Sequence, residues 1–402
     1  MSSNVYFSTL HARRIRRPDF LWTGQGVTPC RYRDRMPDRD AALAWRLTRQ
    51  ALDRAEDLDV VDVVRRVIAM RAWPADLAEL TVAARRSRPE IGDLQAALDD
   101  GSVIRSYAHR GGSYVFTHDV AAVVLAVRRD SRIWEKARWQ RQGDFSIDDW
   151  EPFRRAVREL LADGPRTREE IAAHLAASPS LRHLATGATG VGADSLYKPL
   201  HWWGDICFGP ARDGQATFRL LRGDPRWPEP LDPDDAGRRA IVLYLAAYGP
   251  APAENLAYWF VESLGLPRRR LDTWVQDLAG EVDRVTIGSR QCVALAADID
   301  AIRAAEPTDA VHLLPGFDPW VMGPGTADPD VVPPDRRALA SRGANLVIRG
   351  GVVVGTWRAR ETTVEVSWFA EAGPPSDGDL AAETERLGRL LGRELEPAVS
   401  VG

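Results

Sequence analysis

Apolar residues in the first part of the chain recur every three to four positions, the spacing of amphipathic helices. These helices are predicted over residues 42–54, 60–70, 74–86 and 91–99. The pattern then changes, because residues 102–116 are rich in β-branched and aromatic side chains around Gly111-Gly112. Such a segment predicts two strands joined by a turn, so this region is expected to be a run of helices followed by a hairpin.

A nine-residue motif, Gly-Pro-x-x-x-Glu-x-Ile/Leu-Ala, occurs twice, at residues 164–172 and 249–257. Each copy follows a helical run that opens with Arg-Arg-Ala, so a unit of helix, Gly-Pro turn and helix recurs. Strands are predicted after the two copies at 205–208 and 216–221, and at 282–287 and 291–295, with 268–278 as a further helix. Helices followed by a hairpin are the order of a winged helix, a module that commonly lays a helix on DNA. The first region is then a degenerate third copy.

Beyond residue 309 the pattern changes to short strands and one closing helix. The strands are predicted at 311–314, 346–349, 352–357 and 363–369, and the helix at 380–391. The fold class expected is α+β, mostly helical, with three tandem winged-helix units followed by a small C-terminal β-barrel-like domain. The domains predicted are an irregular basic arm at 1–40, a degenerate winged-helix unit with a helical connector at 41–150, further winged-helix units at 151–232 and 233–308, and a β-rich domain at 309–402.

Composition narrows the class of protein. A chain of 402 residues is too long for one ordinary core. Its net charge of −4 argues against a uniformly basic nucleic-acid coat, although basic side chains cluster at 128–141 and 268–270. No run of about 18 apolar residues and no signal peptide are evident, so we expect a cytoplasmic protein. Cys30, Cys207 and Cys292 are isolated, which favours buried residues over a disulfide framework or a zinc site.

Five segments in the order of a known family carry a resemblance. They are Trp45-Arg46-Leu47, Val103 to Gly111, Lys198 to Pro210 with Pro-Leu-His-Trp-Trp-Gly-Asp at its centre, Leu245 to Pro250, and Leu313 to Trp320 with Leu-Leu-Pro-Gly-Phe-Asp-Pro-Trp. Together they resemble the winged-helix DNA glycosylases of the AlkZ and YcaQ type, over about residues 41–369.

The resemblance implies a fold and a reaction. It implies three winged-helix units and a C-terminal β-barrel that wrap double-stranded, alkylated or damaged DNA. The implied activity is a monofunctional DNA glycosylase that removes bulky alkylated purines such as N7-alkylguanine, including interstrand crosslinks. Such a base is already cationic, so the enzyme mainly positions a water at C1′ and steadies an oxocarbenium-like sugar. No metal and no cofactor are implied, and we expect a monomer associated with the nucleoid.

The chain departs from the family at the position of the chemistry. Relatives usually carry Gln-x-Gln after the second helix, to hold the attacking water, whereas this chain has Arg71-Ala72-Trp73. Neither side chain is an amide: Arg is a donor only, and Trp offers one donor and a stacking face. The water-holding role is therefore in doubt.

Four residues remain candidates for the chemistry: Arg71, Trp73, Asp76 and His109. Asp76 lies one helical turn beyond Trp73 and is a candidate for the missing acceptor, or is simply a residue favoured by the helix dipole. His109 is a candidate to act on a leaving base, or to cap the wing. A Gln-Arg-Gln at 140–142 has the family spelling but falls in the polar connector, where we take it as a coincidence.

Basic side chains near turns, wings and helix starts are the predicted DNA contacts, because they can meet phosphates there. They are Arg105, Arg110, Arg166, Arg168, Lys198, Arg268, Arg269 and Arg270. His201, Trp202 and Trp203 form a second group beside Lys198, predicted either to stack on bases or to pack between domains.

Two functions stay open at this point. The first is a DNA glycosylase acting through a divergent loop. The second is a catalytically inactive DNA-binding protein that serves as a lesion sensor or regulator, or as a self-resistance protein against a genotoxic natural product. Fold-level analogy cannot separate them, because activity resides in the site.

Overall fold

Helices and strands follow one another in an order that occurs three times along the chain. The computed structural model describes residues 38–375 and 377–402. A helix α1 (Arg39–Arg49) comes first. The first repeat consists of α2 (Val60–Val67), β1 (Met70–Arg71), α3 (Ala75–Ala83), α4 (Asp93–Asp99), β2 (Ile104–Tyr107) and β3 (Ser113–Phe116). A connector of α5 (His118–Asp130) and α6 (Ala137–Gly143) follows.

The second and third repeats have the same order. The second consists of α7 (Trp150–Leu161), β4 (Arg166–Thr167), α8 (Arg168–Ala177), α9 (Ala185–Thr189), α10 (Asp194–Trp202), β5 (Ile206–Arg212) and β6 (Gln215–Leu220). The third consists of α11 (Pro233–Tyr248), β7 (Ala251–Pro252), α12 (Ala253–Leu256) with a π-helical continuation (Ala257–Ser263), α13 (Arg268–Asp277), β8 (Val282–Ile287) and β9 (Arg290–Leu295), before α14 (Ile299–Ala304). Each repeat is thus a helix, a two-residue strand, further helices and a hairpin.

Each repeat closes its own small sheet. The orders are β1-β3-β2, β4-β6-β5 and β7-β9-β8, so the second hairpin strand is always central and the two-residue strand pairs with it antiparallel. The repeated Gly-Pro motif lies where this strand starts, in β4 and β7. Gly164 has a φ of 120°, a conformation that side chains disfavour and that turns the chain out of α7.

The C-terminal part is a five-stranded sheet. Its elements are β10 (Val311–Leu314), α15 (Pro319–Met322), α16 (Arg337–Ser341), β11 (Leu346–Arg349), β12 (Val352–Ala359), β13 (Thr363–Trp368), α17 (Asp377–Leu391) and β14 (Glu396–Val401). The strand order is β10-β11-β12-β13-β14, with β14 parallel to β13 and the other pairs antiparallel. α17 packs Leu380 and Leu387 on the face of this sheet. Among the described residues β10 and β14 do not pair, so the sheet is open.

The C-terminal part is fixed to the first repeat by a buried ion pair. Arg85, at the end of α3, donates to both carboxylate oxygens of Asp318, at 2.7 and 2.9 Å, and neither side chain is exposed. Asp318 also accepts the backbone N–H of Trp320 and so caps α15. Because a buried carboxylate is stable only when it is paired, this contact fixes the segment before α15 against α3.

Most predicted elements are confirmed, with differences at their ends. The chain is a mixed α+β protein, about half helical, with small sheets. The strands 311–314, 346–349 and 282–287 have the predicted bounds. The two-residue strands and β14 were not predicted, and α1 begins at Arg39, inside the predicted arm. The arm otherwise lies outside the described residues, as does Cys30; Cys207 and Cys292 are buried as expected. None of the helices in the described ranges has the length and apolarity that a membrane span requires.

Candidate nucleic-acid interface

The connection from β1 to α3, which we call the first joint, is built differently from its two counterparts. Arg71 lies opposite Tyr114 in the sheet, and the N–H of Ala72 donates to Ser113 O at 3.0 Å. Trp73 and Pro74 then lead to α3, with Pro74 as its N-cap. In the second joint β4 runs directly into α8, and in the third joint β7 runs directly into α12. The first joint therefore holds three residues that the others lack.

Arg71 is half-buried and its guanidinium is held from two sides. Its Nε donates to the carbonyl of Trp73 at 3.1 Å, and its Cζ lies 4.3 Å from the centre of the Phe317 ring. Within the described part of the chain it has no carboxylate partner. Arg71 is thus an uncompensated cation with only donors to offer, and it cannot accept a hydrogen bond from a water.

Trp73 and Asp76 are the open side chains of the first joint. Trp73 is 67% exposed, which is unusual for an indole. Asp76 lies in the first turn of α3 and is exposed, where the helix dipole favours a negative charge. The two are three residues apart in the chain. This arrangement offers a stacking face and a carboxylate acceptor on the same stretch of surface.

His109 lies behind the joint rather than at its surface. It begins the turn His109–Gly111 between β2 and β3, and its ring packs on Tyr114 and Trp259 at centroid distances of 5.0 and 4.6 Å. Burial, with a contribution from nearby Arg128, lowers the pKa of His109 to about 3. The ring is therefore neutral at physiological pH, and its contacts are those of a packing residue.

Three of the predicted DNA contacts gather around Tyr107. Arg168 Nη2 and Lys198 Nζ bind the two carboxylate oxygens of Asp194 at 2.6 and 3.1 Å, and the Tyr107 hydroxyl donates to the same carboxylate at 3.2 Å. Arg105 stacks on Phe208 at 4.1 Å, and partial burial lowers its pKa. Arg168 and Lys198 thus share one carboxylate and Arg105 adds a third positive charge, which leaves this group with a positive balance.

The remaining predicted cations are distributed over other elements. Arg110 is exposed, stacks on Tyr258 at 4.8 Å and lies 3.5 Å from Glu262. Arg166 lies in β4 and donates to the carbonyl of Pro165 at 3.2 Å. Arg268, Arg269 and Arg270 form the first turn of α13, where Arg268 pairs with Asp272, Arg270 pairs with Asp234 and Asp130, and Arg269 is exposed.

The aromatic group at 201–203 is a packing cluster. His201 is fully buried, its Nδ1 lies 3.1 Å from Ser106 Oγ, and burial lowers its pKa to about 3. Trp202 is also buried and donates to the carbonyl of Tyr107 at 3.1 Å. Trp203 is half-buried between Trp134 and Trp150. A base cannot stack on a ring without an exposed face, so packing, the alternative considered above, accounts for His201 and Trp202.

Two residues at the first joint were not among the predicted site residues, although Phe317 lies within the motif from Leu313 to Trp320. Tyr114 is opposite Arg71, and Phe317 is under its guanidinium. Phe317 is 246 positions from Arg71 in the printed sequence, so no local spacing joins them. The described residues contain no group of three or more His, Cys, Asp or Glu side chains able to hold a metal ion.

Comparisons with known proteins connect this geometry to one family. Residues 64–390 match the family model described as DNA glycosylase AlkZ-like. The chain belongs to the AlkZ-like DNA glycosylase family. A protein of Streptomyces sahachiroi described as an interstrand DNA cross-link repair glycosylase is 30% identical over 335 residues, covering 82% of this chain and 90% of that protein. The solved structure of the Streptomyces sahachiroi DNA glycosylase AlkZ matches 92% of this chain and 100% of its own, at a TM-score of 0.86 and 27% identity. Family membership thus supports a DNA glycosylase role.

Proposed function

We propose that this chain is a monofunctional DNA glycosylase that hydrolyses the N-glycosidic bond of bulky alkylated purines, N7-alkylguanine among them, in duplex DNA. The three repeats then act as winged-helix units at 41–150, 151–232 and 233–308, and the residues from 309 onward as a fourth, β-rich domain. The family and the cross-link repair role stated for the relative support this substrate class. As an enzyme of chromosomal DNA it would act as a monomer at the nucleoid.

The proposal rests on the exposure of two side chains at the first joint, Trp73 and Asp76. An indole with two thirds of its surface exposed can stack on a base at a damaged, weakly stacked step. The Asp76 carboxylate can accept a hydrogen bond from a water and favours positive charge on the sugar. The water adds to C1′, the bond from C1′ to N9 breaks, and its electron pair neutralises the cationic base. The proton of the water passes to Asp76 and then to solvent.

The alternative is a lesion-binding protein that does not hydrolyse the N-glycosidic bond. The charge and position of Arg71 favour this alternative. Its uncompensated charge lies at the family's amide position and opposes the positive charge of both the alkylated base and the oxocarbenium-like sugar. The predicted DNA contacts around Tyr107 serve either function. Binding and bond cleavage therefore have to be measured separately.

The deciding experiment measures abasic sites in a duplex with a single N7-methylguanine, revealed by alkaline cleavage. We expect cleavage by the wild type, a loss of roughly 100-fold in Asp76→Asn, and normal cleavage in the control Asp148→Asn, which removes an exposed carboxylate elsewhere. Tight binding of this duplex with no abasic product would establish the alternative function. Weak binding that does not distinguish damaged from undamaged duplex would contradict both.

A further inference from the structure

Phe317 has an unusual backbone conformation directly beneath Arg71. Its φ is 63°, in the left-handed region that side chains other than glycine rarely adopt. Such strain persists only where the surroundings impose it, often at functional sites. Here the imposing contacts are identifiable: Asp318 is fixed by Arg85, and the N–H of Gly316 donates to Asn345 Oδ1 at 2.8 Å.

Gly343 leaves the space that the Phe317 ring occupies. A β-carbon on Gly343 would lie 2.2 Å from the ring, which is impossible without displacing it. The ring therefore lies close to both Gly343 and the Arg71 guanidinium. Since Arg71 Nε is also bound to the Trp73 carbonyl, the orientation of the guanidinium is fixed before any ligand arrives.

A second arginine in the same molecule shows what Arg71 lacks. Arg336 stacks on Phe369 at 4.3 Å, the same distance as Arg71 from Phe317. Arg336 also pairs with Glu371 at 2.7 Å, and its hydrogen bond lowers the pKa of that carboxyl to about 2. Among the described residues Arg71 has the aromatic contact without the carboxylate. Its charge is thus oriented and partly desolvated, and no carboxylate of the residues at 38–375 and 377–402 neutralises it.

The anion is identified by elimination on chemical grounds. An N7-alkylated guanine is cationic and has lost the N7 acceptor to which arginine ordinarily binds, so the damaged base is an unsuitable partner. A backbone phosphate is anionic and accepts the fork of guanidinium N–H groups. A cavity of about 470 Å³ that includes Gly343 is also lined by the exposed Arg342 and Arg358, so positive charge continues beyond Phe317.

We propose that Arg71 is a ligand for a DNA backbone phosphate next to the lesion, and that Phe317 is the positioning residue that aims it. This rests on the proposed binding of duplex DNA, but not on bond cleavage. In this chain, Arg71 stands where an amide would hold the water, and it binds the DNA strand instead. Trp73, whose carbonyl Arg71 binds, is thereby placed beside the contacted phosphate.

The test is the salt dependence of affinity for the N7-methylguanine duplex. Each phosphate contact adds about 0.9 to the slope of log K against log salt. In Arg71→Gln we therefore expect a slope smaller by about 1, so that raising salt from about 50 to about 200 mM weakens binding roughly 3.5-fold less than in the wild type. The matched control, Arg336→Gln, removes the same charge from the paired arginine and should leave the slope unchanged.

Variants of Phe317 test the positioning role with the same measurement. Phe317→Tyr keeps the ring and should keep the wild-type slope, whereas Phe317→Leu should lower it as Arg71→Gln does, with thermal unfolding recorded for both. A wild-type slope in Arg71→Gln, with duplex binding retained, overturns the phosphate contact even if Phe317→Leu fails to fold. A wild type that binds no duplex overturns the proposed function itself.

Discussion

The first joint exposes its side chains at the surface, whereas its counterparts in the other two repeats use theirs in contacts within the protein. In the second joint Glu170 binds the N–H of Thr167 at 2.7 Å, and in the third the buried Asn255 binds Asp328 at 2.7 Å. Both polar groups stabilise the fold through these hydrogen bonds. The first joint is longer by three residues and exposes Trp73 and Asp76 instead. A repeated scaffold thus stays uniform while one extended connection holds the side chains available for a ligand.

Breaking the buried ion pair between Arg85 and Asp318, which supports the first joint, should have the greatest effect on stability. Arg85→Met leaves Asp318 buried and unpaired, which should lower the free energy of unfolding by about 3 to 5 kcal/mol. Urea denaturation at neutral pH measures this loss. Arg336→Met, which breaks the exposed pair with Glu371, is the matched control and should barely move the midpoint. Equal losses in the two variants would mean that the buried pair does not support this region.

The second prediction converts the first joint to the family's Gln-x-Gln. Arg71→Gln combined with Trp73→Gln supplies two carbonyl acceptors and removes a cation beside the reacting sugar. Within the bound complex we expect the single-turnover rate of abasic-site formation on the N7-methylguanine duplex to rise by about 100-fold, while affinity falls because the Trp73 stacking face and the Arg71 phosphate contact are lost. Arg71→Lys with Trp73→Phe keeps the charge and the aromatic face, so it is expected to give no gain. If the Gln variant binds the duplex and cleaves no faster, the water is held elsewhere.

The third prediction concerns acid stability, because two buried histidines pack the first repeat against its neighbours. His109 of the first repeat contacts Trp259 of the third, His201 of the second repeat contacts Tyr107 of the first, and burial lowers the pKa of each to about 3. The unfolded chain binds protons near pH 6.5, so it is favoured as pH falls below that value. Stability should therefore be complete above about pH 6.5 and decrease toward pH 3.

At pH 5 each of these histidines should cost about 2 kcal/mol relative to neutral pH. Urea midpoints measured from pH 7 to pH 5 check this, and His109→Gln should remove its share of the pH dependence. If the slope in His109→Gln equals that of the wild type, the folded-state pKa of His109 is not depressed.

Helices and strands with a periodic pattern of apolar residues were predictable from sequence. Strands that form only by pairing with a neighbouring strand were not. β10 has the predicted bounds because three of its four residues, Val311, Leu313 and Leu314, are apolar, as is typical of a buried strand. β1, β4 and β7 have two residues each, too few for any periodicity, and exist because a hairpin strand lies beside them. β14 is exposed throughout, and its two alternating valines, Val399 and Val401, are too few to indicate a strand.

The candidate site was predictable only where it is local. The family motif located Arg71, Trp73 and Asp76, because counting along one segment suffices for that. It could not reveal Phe317, which reaches Arg71 only through the packing of α3 on the C-terminal part. Burial could not be read from the sequence either, so base stacking and packing both stayed open for His201 until its surroundings were known.

The smallest expected effect tests the second joint, where we expect stability to change and DNA recognition to stay. Thr167 Oγ1 accepts the N–H of Glu170 at 3.3 Å, and the Glu170 carboxylate accepts the N–H of Thr167, a capping box at the start of α8. Thr167→Ala removes one of these bonds and should lower the free energy of unfolding by about 1 kcal/mol. Thr167→Ser keeps the oxygen and should retain most of that stability. Because this joint exposes no aromatic ring, the ratio of affinities for damaged and undamaged duplex should be unchanged in both variants. A fall in that ratio in Thr167→Ala alone would mean that lesion recognition extends to the second joint.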